Sequence, residues 1–335
     1  MTEVFWKTLP FFKNKTVLFT GSSGYIASCM TAALSSINCR LVRLTRNAAR
    51  LHPVSGAFQV NDIEVDITSD CDWSRILDGV NIVFHLASQT SVATADQDPA
   101  RDFLVNVKPL MDILNACTVN GYRPVIVFAG TTTEIGIPHN LPVSENHYEA
   151  PITIYDIHKL VAEKYLKFHA GAGRIRGCTL RLSNVYGPGP KSSSADRGIL
   201  NLMIRKALNG ESLTLYGNGE QVRDYIYIDD AANAFFHAAV HIGKADGRHF
   251  VIGSGTGHTI AEAFRIVAER VAAKTGRKVE VIHITPPGGL SPIETRNFFA
   301  DITEFSAATG WIPRYPLAEG VDRTIDYFMS QGAGS

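Results

Sequence analysis

The chain has 335 residues, of which 45% are hydrophobic and 19% charged, and its 32 basic and 32 acidic side chains cancel. That composition excludes a disordered chain, and with no basic surplus no nucleic-acid or membrane partner is expected. The length predicts one large domain or two closely joined ones.

In chain order, residues 15–20 form a short apolar run ending in glycines, which reads as a buried strand. A helix is predicted over 25–36, then strands over 40–45, 63–66, 81–86, 124–129 and 178–182, with helical stretches at 98–119 and 153–170. Strands alternating with helices predict an α/β fold with a doubly wound parallel Rossmann sheet. After residue 187 the texture changes: a loop over 187–194, a helix at 198–208, a loop at Gly217-Asn218-Gly219, a strand at 225–228, and helices at 230–241 and 259–274. This predicts a smaller mixed α/β substrate domain. The expected division is 1–186 for the dinucleotide and 187–335 for the substrate, with segments between about 225 and 255 returning to the Rossmann core.

Residues 16–39 carry no charge, but Gly21, Gly24 and many Ser/Thr interrupt the run, so a membrane span is not expected. Met1-Thr2-Glu3 lacks a signal peptide's basic start. The five cysteines are scattered without a Cys-x-x-Cys pair. They read as thiols of a cytoplasmic protein with no metal site.

Thr20-Gly21-Ser22-Ser23-Gly24-Tyr25-Ile26-Ala27 joins the first strand to the first helix. In that context Gly21 permits the tight turn, Gly24 lets backbone approach a pyrophosphate, and Ala27 is small enough for close helix–strand packing. The end of the second strand reads Leu44-Thr45-Arg46-Asn47, with no acid for a ribose 2′-hydroxyl. Arg46 beside the Thr45 hydroxyl suits a 2′-phosphate, so the cofactor reading is NADP(H) or NAD(H), leaning to NADP(H). A solvated surface arginine is the competing reading of Arg46.

Tyr155-Asp156-Ile157-His158-Lys159 places Tyr155 and Lys159 on one helix face. A free tyrosine has a pKa near 10, so acid–base work at pH 7 needs about 4 kcal/mol of phenolate stabilisation, which a lysine cation helps supply. A hydroxyl partner is expected from the run Thr131-Thr132-Thr133-Glu134 after the fifth strand, with Thr131 the choice among three threonines and turn chemistry the competing explanation.

With these residues in place, the chain resembles the extended short-chain dehydrogenase/reductases, and among them the NAD(P)-dependent sugar-nucleotide epimerase/dehydratase family. The resemblance spans nearly the whole chain. It rests on the glycine loop, Val65-Asp66-Ile67, His85-Leu86-Ala87-Ser88, Asn106-Val107, the Tyr155/Lys159 pair, the stretch from Arg181 to Gly189, and the stretch from Tyr216 through Arg223 to Asp230. It implies that Ser23, Tyr25 and Ile26 join the two glycines at the cofactor. Asp66 and Ile67 would border the adenine, Leu86, Ala87 and Ser88 would line the cofactor, and Asn106, Ala129 and Ser183 would join them. Asn184 and Arg223 would hold a substrate diphosphate, Tyr216 would lie near its base, and Thr132 and Thr133 would face the sugar. Three departures stand out. Ser291-Pro292-Ile293-Glu294 lacks an expected arginine, for which Arg296 is the replacement. Phe298 leaves little room in the sugar pocket. The acid pair of the dehydratases is replaced by Thr132 and Thr133, and Glu134 is one position late.

The resemblance implies an epimerase that works by hydride transfer through a keto-sugar, at carbon 4, on a nucleotide-diphosphate sugar. The alternatives are an NADPH-dependent 4-keto sugar-nucleotide reductase and a non-catalytic NADP-binding regulator. It also implies a homodimer formed through the helices of 98–119 and 153–170.

Overall fold

The computed structural model describes residues 6–189, 198–285 and 292–332. The first half runs β1 (Thr16–Thr20), α1 (Tyr25–Ala33), β2 (Arg40–Thr45), β3 (Gln59–Glu64), α2 (Trp73–Leu77), β4 (Ile82–His85), α3 (Val92–Gln97), α4 (Pro99–Asn106), α5 (Lys108–Asn120), β5 (Val125–Thr131), α6 (Ile154–Gly171) and β6 (Arg176–Leu182). The second half runs β7 (Asn184–Tyr186), α7 (Ile199–Leu208), β8 (Leu213–Tyr216), β9 (Val222–Tyr227), α8 (Ile228–Val240), α9 (Ile242–Ala245), β10 (His249–Ile252), β11 (Gly257–Thr259), α10 (Ile260–Thr275), β12 (Val281–Ile284), α11 (Thr303–Thr309) and α12 (Leu317–Ser330).

Seven strands form one sheet in the order β10-β6-β5-β4-β1-β2-β3, and every pair is parallel. The sequence builds it from short runs that are apolar on both faces, as a sheet covered by helices on both sides requires. On one face Phe19, Phe84 and Val127 pack with Phe235 and Phe236 of α8 and Met30 of α1. On the other, Leu18, Val83, Ile126 and Phe128 pack with Leu110 and Leu114 of α5 and Ala162 of α6. Each buried side chain of this size contributes about 1.5–3 kcal/mol. A three-stranded sheet (β11-β9-β7) and the parallel pair β12-β8 lie outside the main sheet. A second core joins α7, α10 and α12 through Leu200, Ile204, Phe264, Val267, Val321 and Ile325.

Three elements differ from the sequence expectation. The third strand starts at Gln59 and ends at Glu64, leaving Val65 and Asp66 beyond it. It is an exposed edge strand, so it carries no apolar run to mark its start. The helix expected over 98–119 breaks at Val107, between α4 and α5. Pro109 has no N–H to continue the ladder back to Val105. The strand expected at 225–228 is β9, and Ile228 already belongs to α8. Residues 190–194 of the expected loop, and Ser291, lie outside the described residues.

Candidate active site

The glycine loop sits where β1, β2 and β4 end. Gly21 has φ +66, and a Cβ there would lie 2.8 Å from the Ala87 Cα, so the turn requires glycine both for conformation and for space. A Cβ on Gly24 would lie 2.8 Å from the Gly21 carbonyl oxygen. Gly24 is the N-cap of α1, and no side chain caps this nine-residue helix. Its first-turn amides and positive dipole end therefore fit a dinucleotide pyrophosphate. Ala27 is buried against the sheet. The Tyr25 hydroxyl donates to the Gly187 carbonyl at 2.6 Å, and the Ile26 side chain packs on the core.

At the end of β2 the Thr45 hydroxyl lies within hydrogen-bond distance of Ser23 Oγ, at 3.3 Å, and of the Asn47 carbonyl, at 3.2 Å, with one hydrogen to give to either, and Arg46 is exposed. The structure adds an acid that the sequence reading missed. Glu64 pairs with Thr45 across β2 and β3 and accepts from the Ala48 amide at 2.9 Å. The Asp66 carboxylate caps its own turn through the Thr68 amide and hydroxyl, which hold its pKa below the usual carboxylate range. Ile67 beside it is buried.

Thr20, His85 and Phe128 stand in register on β1, β4 and β5, forming a row on the α6 side of the sheet. Thr20 Oγ1 accepts from the Leu86 amide at 3.1 Å and from the Ala87 amide at 3.0 Å. That fills both lone pairs, so its one hydrogen goes to His85 Nδ1, 3.0 Å away, and the imidazole proton sits on Nε2. Burial, and secondarily the charge of Lys159, lower the His85 pKa to about 3. A neutral ring thus stacks 5.7 Å from Phe128, and Lys159 Nζ of α6 lies 4.2 Å from the Phe128 centroid. Tyr155 and Lys159 share one turn of α6, are 4% and 1% exposed, and follow the N-cap Thr153, whose hydroxyl accepts from the Asp156 amide at 3.2 Å.

β5 ends in a capped turn. The Thr131 hydroxyl accepts from the Thr133 amide at 3.3 Å, and the Glu134 carboxylate accepts from the Thr131 amide at 3.0 Å. Thr131 Oγ1 lies 2.8 Å from Thr133 Oγ1, which donates to Asp156 Oδ1. Thr131, Thr132 and Thr133 are all buried, and Ala129 is partly so. Glu134 turns into the body, with Oε2 3.0 Å from Arg181 Nε. Arg181 also meets Glu163 at 2.7 Å and Glu149 at 2.5 Å, while Lys167 and Lys164 complete the pairs. Burial and then the Glu163 charge push Glu134 up to about 8. For Glu149 burial acts upward, but Lys164 and Arg181 outweigh it and hold the carboxyl at about 2. Glu149, Glu163 and His249 bring three ligand atoms within 4.8 Å of one another, but Arg181 and the two lysines already answer their charges.

A second network, unread in the sequence, supports the expected cofactor residues. Ser88 Oγ donates to Asn106 Oδ1 at 2.6 Å, and Asn106 Nδ2 donates to Asp102 at 2.9 Å. Gln89 and His158 bind the same buried Asp102 at 2.8 and 2.7 Å. His158 lies inside the Tyr155–Lys159 segment, yet only the fold brings it to Asp102. Ser183 donates its amide to Ile252 of β10, and Asn184 Nδ2 reaches the Asp224 carbonyl at 3.2 Å.

Arg223 and Arg296 are both buried, and Arg223 Nη2 donates to the Glu294 carbonyl at 2.7 Å while Nη1 donates to that of Arg296. Arg296 Nη1 donates to the Ile293 carbonyl at 2.8 Å. These acceptors are neutral, and the Glu294 carboxylate lies 3.8 Å from Arg223. Burial lowers the Arg223 pKa. Tyr216, at the end of β8, is half exposed. Phe298 packs with Ile135, Val143, Val251 and Ala300, so its bulk fills a core.

Over 321 residues the chain is 27% identical to a putative UDP-glucose 4-epimerase of Methanocaldococcus jannaschii, covering 94% of this chain and 98% of that one. It is 28% identical over 248 residues to dTDP-4-dehydro-6-deoxyglucose reductase of Escherichia coli, covering 73% and 74%. A crystal structure of UDP-glucose 4-epimerase from Thermotoga maritima with UDP-glucose superposes with a TM-score of 0.82 at 28% identity, covering 94% of this chain and 99% of that one. Among the described residues no helix is long and apolar enough to cross a membrane. Residues 17–253 match the NAD dependent epimerase/dehydratase family, and with a glycine loop that fits a nicotinamide dinucleotide the chain belongs to that family of enzymes.

Proposed function

We propose that this protein is a sugar-nucleotide epimerase that inverts a hydroxyl-bearing carbon, carbon 4, of a nucleotide-diphosphate sugar by way of a 4-keto form. The observation that carries the reading is the burial of Tyr155 and Lys159 on one face of α6, with Lys159 Nζ 4.2 Å from the Phe128 ring of β5 and its charge acting on His85 at the end of β4. The bound nicotinamide would supply hydride acceptance and return. Tyr155 Oη holds and moves the proton of the reacting hydroxyl, and Lys159 stabilises its phenolate. His85, being neutral, adds no second cation beneath Lys159. Thr131 positions the hydroxyl. Arg223, hydrogen-bonded to neutral carbonyls with the exposed Glu294 carboxylate 3.8 Å away, offers positive charge to the diphosphate, together with Arg296 and Asn184, and Tyr216 lies towards the base.

The rest of the reading follows the same division of labour. Residues 1–186 with the returning α8 and β10 serve the dinucleotide, and the rest of the second half serves the sugar nucleotide. Arg46 supports NADP(H) as the cofactor, and Glu64 beside Thr45 is the observation favouring NAD(H). A homodimer is supported by Phe103 and Leu104 of α4 and Ile157, Tyr165 and Phe168 of α6, exposed on two helices that lie together. Five free cysteines support a cytoplasmic setting. The second reading, a 4-keto sugar-nucleotide reductase, is favoured by Arg46 and by the similarity to the reductase.

The deciding experiment incubates the protein with UDP-glucose, UDP-galactose and dTDP-sugar counterparts and follows carbon-4 inversion by NMR. Interconversion without added reductant is expected, and Tyr155→Phe should remove nearly all of it. Consumption of NADPH with a 4-keto sugar nucleotide, and no interconversion, would give the second reading. Turnover that survives Tyr155→Phe unchanged would overturn the catalytic assignment.

A further inference from the structure

The hydroxyl chain at the end of β5 has a direction. Thr133 Oγ1 donates its only hydrogen to Asp156 Oδ1. It can therefore meet Thr131 Oγ1, 2.8 Å away, only as an acceptor, so the Thr131 hydrogen points at Thr133. One Thr131 lone pair is taken by the Thr133 amide at 3.3 Å. What Thr131 has left for a ligand is one lone pair and no hydrogen. All three side chains are buried, so water does not readily re-sort these bonds. Asp156 is set for this by its own helix end. It occupies the first turn of α6, where the Thr153 cap binds its amide, one residue after Tyr155.

We propose that Asp156, acting through Thr133, is a positioning residue that makes Thr131 an acceptor and so selects an alcohol over a ketone at the reacting carbon. This rests on the epimerase reading of the site and deepens it. An alcohol oxygen carries the hydrogen that Thr131 can accept, and a carbonyl oxygen carries none. Lone pair facing lone pair is the penalty a ketone meets at Thr131, leaving Tyr155 as the hydrogen donor to it. An epimerase starts and ends on alcohols, so this polarity suits both of its resting complexes. A reductase that must capture a ketone would need the chain reversed. The sequence reading placed Thr133 against the sugar, whereas here its hydroxyl is turned to Asp156.

The test uses the full chain saturated with cofactor, in a Tyr155→Phe background that prevents turnover. The probes are UDP-6-deoxyglucose and its 4-keto counterpart, which differ only at carbon 4. Binding of each is measured by calorimetry to the background protein and to its Thr133→Val, Thr133→Ser and Asp156→Asn forms. The background protein should prefer the alcohol. Thr133→Val frees the Thr131 hydrogen and should shift the alcohol-to-ketone ratio towards the ketone by about tenfold, the worth of one hydrogen bond. Thr133→Ser should restore the ratio. Thr133→Val combined with Asp156→Asn should shift it no further than Thr133→Val alone, because both changes act through one chain. An unchanged ratio in Thr133→Val, or additive effects of the two changes, overturns the proposal. The polarity is also read without ligand. A Thr133 hydroxyl proton protected from exchange should appear in the proton NMR spectrum, vanish in Thr133→Val and move in Asp156→Asn. If neither sugar nucleotide binds, the substrate reading fails, and a spectrum lacking that signal still overturns the polarity.

Discussion

Two buried cations lie on neighbouring elements of this molecule and are treated in opposite ways. Arg181 on β6 is enclosed by Glu134, Glu149 and Glu163, with Lys164 and Lys167 balancing the excess acid. Lys159 on α6 lies over the ring of Phe128 with a neutral His85 alongside, and its charge also reaches Glu134 at the edge of that cluster. The first arrangement consumes charge: the cation serves to keep carboxylates tolerable in a dry interior. The second keeps a cation close to a tyrosine and uses a depressed imidazole pKa to avoid adding another. The same helix, α6, contributes Glu163 to the one and Lys159 to the other, one turn apart. Burial alone therefore does not identify a reactive group, whereas the company kept by the charge does.

The largest effect is expected at Arg181. Arg181→Met leaves three buried or half-buried carboxylates facing one another and should cost about 3–5 kcal/mol of stability, read by urea unfolding. If it proves neutral, the cluster is not holding the fold. Lys159→Met should leave stability within about 1 kcal/mol but lower kcat by about 100-fold, in steady-state assay with a verified substrate. A large loss of stability with unchanged kcat would reverse the two roles.

His85 makes the stability depend on pH. Its folded pKa of about 3 lies below its ordinary value of 6.5. Between those values the unfolded chain binds a proton that the native protein does not, so stability falls as the pH is lowered through that window. The slope from this one group is about 1.4 kcal/mol per pH unit. His85→Phe should flatten the stability profile by that slope between about pH 6.5 and 4 in urea titrations. An identical profile would show that His85 is not held neutral. The smallest effect is expected at the exposed Arg46. Arg46→Ala should weaken NADPH binding by about tenfold relative to NADH if a 2′-phosphate is bound there. Glu64→Gln should move the ratio the other way.

Much of this is legible in the chain. Buried strands announce themselves as apolar runs, and the glycine loop and Tyr155/Lys159 pair are readable because both ends of each motif are close in sequence. The start of β3 is not readable, because an exposed edge strand has no such run. The break at Val107 needs Pro109 to be weighed against a long helical pattern. Glu64 escapes the sequence reading because an acid at the end of β2 is sought within β2, while the acid arrives by pairing from the next strand. Thr20, Asp102 and Asp156 escape it because their partners His85, His158 and Thr133 lie 65, 56 and 23 residues away.

The periodicities, the glycines that a tight turn demands, and the helical spacing that sets Tyr155 beside Lys159 are written in the chain, because these depend on backbone geometry over a few residues. The fold alone sets which nitrogen of His85 carries the proton and which carboxylates share Arg181. Those depend on hydrogen-bond valence and desolvation, which exist only once distant segments have been packed together and water has been excluded.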